Sequence, residues 1–143
     1  MERQMKKVLV AIDIARERGN DEVLESARKI TTAMDGSLVM LYVLEPTPGY
    51  IATQIPQDVL EQRKSQAEQA VRDLAVRHNV PDAVIREGAP ATEILEYAGE
   101  IKADLIVLYS HDPDMTDYFI GSVASRVVRH AHCSVHVLRH HKE

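Results

Sequence analysis

Ala103-Asp-Leu-Ile-Val-Leu-Tyr-Ser110, then an acidic loop, then Gly121-Ser-Val-Ala-Ser-Arg-Val-Val-Arg-His-Ala-His-Cys-Ser-Val-His-Val-Leu138, is the stretch that decides the fold. Asp104 to Ser110, apolar from Leu105 to Leu108, reads as a strand. Ser122 is expected to cap a helix with Val123, Val127, Val128 and Ala131 facing inward. Ser134 to Leu138 is expected to be the last strand. A strand that feeds a loop and a helix N-terminus is where an α/β protein holds phosphate, because unpaired N–H groups and the helix dipole converge there. Here the loop His111-Asp-Pro-Asp-Met-Thr-Asp117 has three carboxylates and no Lys or Arg.

Working backwards, Val8 to Ile12 is a second buried strand ending at Asp13. Asn20 or Asp21 is expected to open a helix through Val23, Leu24, Ala27, Ile30 and Met34, with Gly36 as its stop. Ser37 to Leu44 is another strand. Glu45 to Gln57 holds Pro46, Pro48, Gly49 and Pro56, and reads as a flap over a site or as a plain surface loop. Asp58 and Glu61 form a capping box for the next helix, which finishes near His78. Ala83 to Arg86 is a short edge strand. Gly88-Ala-Pro90 turns into a helix with Pro90 at its first position and Ile94, Leu95, Ala98 and Ile101 inward. Strands alternating with helices predict right-handed crossovers and a parallel sheet.

The 143 residues, 45% of them hydrophobic, fit a single domain over 1–143. A formal charge of -5 gives no basic face for nucleic acid or an anionic membrane. No apolar run approaches the roughly 20 residues of a membrane span, and no signal peptide precedes the first strand, so a cytoplasmic protein is expected. The single Cys133 excludes an internal disulfide. No nucleophile elbow, P-loop or dinucleotide fingerprint is present, so no catalytic residue is assigned. Six of the seven histidines lie in the last third (His111, His130, His132, His136, His140, His141), but their spacing does not match a metal site.

Gly121 to Leu138 is similar to the closing motif G-S-V-x-x-x-V-x-x-x-A-x-C-P-V-x-V-V of the universal stress protein family. Val-Ala-Ile-Asp13, Gly88-x-Pro90 with Ile94, and Ala103-Asp-Leu-Ile-Val107 support the resemblance. It implies a single open five-stranded parallel sheet in the order 3-2-1-4-5 with helices on both faces, Rossmann-like and of the adenine nucleotide alpha hydrolase kind, with its switch point beside Asp13 and Tyr109. In ATP-binding members the loop resembles G-x-x-G, nine residues, then G-[S/T]. This chain has Tyr109 and Asp112 in place of the first two glycines, while Gly121 and Ser122 remain. Losing Gly stiffens the backbone, and Pro113 removes a donor. Each unit like-charge pair at about 4 Å costs about 1 kcal/mol in water and about 4 at an effective dielectric near 20. Ala11, Asp13 and the Val43 backbone stand where the family holds base and ribose, so a nucleoside or monophosphate should outlast ATP.

The resemblance thus implies a non-enzymatic cytoplasmic stress-response homodimer that acts on an unknown protein partner, with ATP binding weak or absent and no obligatory cofactor. The alternative is an ATP- or AMP-binding switch with slow or no hydrolysis, the phosphates held by Gly121, Ser122 and a bridging Mg²⁺. A plainer reading leaves Gly121-Ser122 as no more than a good helix start. The implied dimer pairs the last strands, with Val135 and Val137 buried and His136 near the two-fold axis, where paired histidines would make the interface pH-responsive.

Overall fold

The computed structural model describes residues 5–13, 17–110 and 121–139. Its five parallel strands are β1 (Lys6–Ile12), β2 (Gly36–Leu44), β3 (Asp82–Glu87), β4 (Leu105–Tyr109) and β5 (Ser134–Leu138). They form one sheet in the order β3-β2-β1-β4-β5, as expected. The register pairs Lys6 with Gly36, Val8 with Leu105 and Ile106 with Val135. The helices are α1 (Glu17–Ala33), the single turn α2 (Gly49–Ala52), α3 (Gln57–Arg77), α4 (Pro90–Ile101) and α5 (Ser122–His130).

Side chains alternate across each strand, so the continuous apolar runs serve two cores. On one face Val8, Val10, Met40 and Val107 pack under Val23, Leu24 and Ala27 of α1 and Val71 and Leu74 of α3. On the other Leu9, Leu41, Ile106 and Leu108 pack under Ala91, Ile94 and Ala98 of α4 and Ala124 and Val127 of α5. Burying a side chain such as Leu9 or Ile106 is worth roughly 1.5–3 kcal/mol, and both are fully buried.

Several helix ends differ from expectation. Helix α1 is already formed at Glu17, so Asn20 is not its cap; it is turned inward and only 2% exposed. The left-handed residue that stops α1 is Asp35 (φ 56°), and Gly36 instead begins β2, where a Cβ would lie 2.6 Å from the Lys6 carbonyl oxygen. Pro56 precedes α3, which starts one residue before Asp58, and no side chain caps it. Asp58 is left in the first turn, where its charge suits the dipole but the capping-box geometry is lost. Gly121, not Ser122, occupies the cap of α5, again without a side-chain bond. The inward face of α5 is Ala124 and Val127, while Val123 and Val128 are 36% and 48% exposed. The buried Ala124 joins Val127 in the core that α5 shares with α4.

Candidate functional site

Strands β1, β2 and β4 all end at the same rim of the sheet, and at the β1/β4 switch point a cavity of about 290 Å³ opens. This is the position at which open α/β sheets take ligands. Its floor comes from Ala11 on β1 and Asp13 just after it, Tyr42 and Val43 on β2, and Leu108 and Tyr109 on β4. Pro90 and Ile94 of α4 and Val123 of α5 border it, as do Glu45, just after β2, and Arg63 of α3. Four residues expected from sequence, Ala11, Asp13, Val43 and Tyr109, therefore share one cavity. Gly88 makes the wall possible, since its φ of 148° is one that residues with a Cβ rarely adopt. Its N–H donates to the Leu44 carbonyl oxygen at 3.1 Å, which sets Pro90 beside the rim.

Asp13 is held by Asn20, expected only as a helix cap. The Asn20 Nδ2 donates to the Asp13 carbonyl oxygen at 2.7 Å, and the Asp13 N–H donates to Asn20 Oδ1 at 3.0 Å. An amide side chain has both a donor and an acceptor, so it can satisfy the two main-chain groups of one residue at once. Burying Asn20 without these bonds would cost about 1–3 kcal/mol. The pairing ties the start of α1 to the end of β1 and fixes the backbone from which Asp13 projects.

Gly121 and Ser122 do not line the cavity, although their neighbour Val123 does. The Gly121 N–H, one of the donors expected to serve phosphate, instead donates to Ser110 Oγ at 3.1 Å. Asp112, Pro113, Asp114 and Asp117 lie outside the described residues. Around the cavity the charges are mixed: Asp13 and Glu45 are acidic and Arg63 is basic. The Tyr42 hydroxyl is pushed above its ordinary pKa, first by burial and then by the negative charges of Asp13 and Glu45, with Arg63 pulling the other way.

The resemblance carried by the closing motif extends well beyond it. The sequence matches the universal stress protein family over residues 5–139. The chain belongs to the universal stress protein family. A universal stress protein of Methanocaldococcus jannaschii is 31% identical over 96% of this chain and 84% of its own length. Among solved structures, a universal stress protein of Lactobacillus plantarum superposes with a TM-score of 0.71 at 26% identity, covering 96% of this chain and all of its own (100%). A third protein, a universal stress protein solved in complex with cAMP, shares the fold with a TM-score of 0.68 at 20% identity over 94% of this chain and 97% of its own.

The remaining residues singled out from sequence lie elsewhere. Val135, His136 and Val137 are on β5, an edge strand bonded to β4 on one side, with His136 exposed and the two valines half-buried. His78 ends α3 as expected, and its Nε2 also lies 2.7 Å from Asp21 Oδ1 of α1. Cys133 is at the far end of the sheet, just before β5. Its thiol is pushed above its ordinary pKa by burial and then by the Asp104 charge, which opposes reactivity. Among the described residues no group of three or more His, Cys, Asp or Glu is placed to hold a metal ion. No helix of the described residues is long and apolar enough to cross a membrane.

Proposed function

We propose that this universal stress protein is a non-enzymatic cytoplasmic homodimer in the stress response, and that its switch-point cavity takes an adenine nucleoside or monophosphate in preference to ATP. The observation that carries the reading is the gathering of Ala11, Asp13, Val43 and Tyr109 around one cavity at the strand ends. The Ala11 and Val43 main chain offers hydrogen bonds to a base, and the Asp13 carboxylate suits a ribose hydroxyl. What disfavours a triphosphate is charge. Two carboxylates and one guanidinium border the cavity, and the Gly121 amide is already used by Ser110. The family member solved with cAMP holds a nucleotide with one phosphate, which agrees with this preference.

The homodimer rests on β5. An exposed strand edge carrying Val135, Val137 and Leu138 is a pairing template, and edges of this kind are normally covered. The protein would then act through contacts with a protein partner, with ligand occupancy as the signal.

Calorimetric titration with adenosine, AMP and ATP, each with and without Mg²⁺, tests the reading. Adenosine and AMP should bind, and ATP should bind at least about tenfold more weakly, because one further like-charge contact costing roughly 1.4 kcal/mol is a factor of ten. ATP binding tighter than AMP with Mg²⁺ would establish the triphosphate switch instead.

A further inference from the structure

We propose that Asn20 is the positioning residue through which this cavity tells a ribose diol from a sugar without one, acting on the ligand by way of Asp13. The proposal rests on the nucleoside reading above and assigns the residue behind its sugar specificity. Three observations carry it.

First, Asp13 stands where the sheet stops supporting its own backbone. Pairing of β1 with β4 reaches only Val10 with Val107, and pairing with β2 ends at Ile12 with Tyr42. Asp13 falls beyond both registers, yet it borders the cavity. The Asn20 amide takes the place of a strand neighbour: Oδ1 accepts from the Asp13 N–H at 3.0 Å and Nδ2 donates to the Asp13 carbonyl oxygen at 2.7 Å. This is the two-way exchange made by a hydrogen-bonded antiparallel pair.

Second, the burial of Asn20 points outside its own helix. Among the described residues the buried polar side chains are Asn20 and Thr31. The Thr31 hydroxyl donates to the Ala27 carbonyl oxygen at 2.6 Å, within α1, whereas the Asn20 amide crosses to the end of β1. Third, the turn of α1 that carries Asn20 is anchored from another side. Oδ1 of the neighbouring Asp21 lies 2.7 Å from His78 Nε2 and accepts from Arg77 at 3.2 Å, so the end of α3 holds the helix that holds Asp13.

A carboxylate suits a diol because its two oxygens can accept from both hydroxyls, and hydrogen bonds to a charged acceptor are short and direction-dependent. Fixing its backbone before the ligand arrives removes an ordering cost from binding. The Asp13 charge also raises the pKa of the Tyr42 hydroxyl on the same cavity floor. Asn20 is not among the residues lining the cavity, so its effect passes through Asp13.

The test is calorimetry of adenosine, 2′,3′-dideoxyadenosine and adenine with the wild-type chain, Asn20→Ala, Asn20→Ser and Thr31→Val. Wild type should bind adenosine at least about tenfold more tightly than the dideoxy analogue, the worth of a hydrogen bond to a charged group. Asn20→Ala should weaken adenosine by about tenfold and the other two ligands by less than about twofold, so that the discrimination collapses. Asn20→Ser, whose hydroxyl both donates and accepts, should keep part of it, and supplies the same comparison should Asn20→Ala fail to fold. Thr31→Val removes the other buried polar group of α1 and should leave the ratio as in wild type. An unchanged ratio in both Asn20 variants would overturn the proposal and leave the cavity reading standing. An equal loss for all three ligands, or the same collapse in Thr31→Val, would overturn it too, by making Asn20 a support of the fold alone. Equal wild-type affinity for adenosine and its dideoxy analogue would show that Asp13 does not read the sugar, and no wild-type binding of any of the three would overturn the cavity reading itself; the proposal falls in either case.

Discussion

Replacing Gly36 by alanine should destabilise the protein, although alanine is ordinarily the easier residue to order. Gly36 pairs with Lys6 where β2 begins beside β1. An added Cβ would stand 2.6 Å from the Lys6 carbonyl oxygen, 3.2 Å from its carbon and 3.3 Å from its Cβ. Close carbon-to-oxygen contacts between strands settle at about 3.3–3.6 Å, so the two backbones must part by roughly 0.7 Å. Overpacking of this kind costs about 1–3 kcal/mol. For a chain of this size each kcal/mol moves Tm by about 3 °C, giving a fall of about 3–9 °C. Two controls separate close approach from other causes. Gly99 in α4 has nothing within 4 Å of its added Cβ, so Gly99→Ala should gain about 0.8–1 kcal/mol from helix propensity. Asp35 carries the left-handed φ of 56°, so Asp35→Gly relieves strain of about 1–2 kcal/mol against a glycine entropy cost of about 0.5–1 kcal/mol, leaving Tm near or slightly above wild type. Thermal unfolding followed by circular dichroism reads all three. A Gly36→Ala protein melting at or above the wild-type temperature would refute the close-approach argument.

Two further outcomes follow from particular contacts. The carboxyl pKa of Asp21 is lowered, chiefly by its hydrogen bond to His78, with Arg77 also contributing. A lowered folded pKa means that the contribution is present above the unfolded value of 3.8 and is lost as pH falls through the folded value. Because the Asp21 side chain is 49% exposed, the stabilisation is under about 1 kcal/mol; urea melts of wild type and Asp21→Asn should differ at about pH 6, narrow as pH falls below the unfolded value and converge below the folded one, and a gap that does not narrow by about pH 2 would refute the assignment. For the proposed homodimer, Val137→Lys on β5 should give a monomer in light scattering while keeping its circular dichroism spectrum, and a dimer of undiminished stability would show that another surface mediates association.

The sheet was legible because its three central strands, β1, β2 and β4, carry continuous apolar runs, a pattern that demands two covered faces and hence parallel crossovers. The ends of helices were less legible, since capping residues also do other work. Asn20 has the composition of a cap, yet its amide reaches back to the Asp13 backbone, a contact between residues whose proximity only the folded β1–α1 corner creates. In α5 Val127 is inward as expected, but Val128 is exposed and Ala124 is buried in its stead, because local hydrophobicity does not single out a small residue as part of the core face. The apolar floor of the cavity was readable through the resemblance, but Arg63 was not: on sequence it is one charge among many on an exposed helix, and only the crossover from β2 through α3 brings it to the border of the cavity.

The two margins of the sheet are unlike. At β3, Asp82, Arg86 and Glu87 break the apolar run, and Arg86 is clamped against Glu93 and Glu100 with its guanidinium 5.5 Å from the Tyr97 ring centre. At β5 the margin is short and rich in valine. Strand-by-strand growth needs two receptive margins, one to accept and one to extend; this molecule has one. Any association through the sheet is therefore self-terminating: two copies meeting at β5 leave only charged margins facing outwards, and the same asymmetry that permits a pair forbids a fibre.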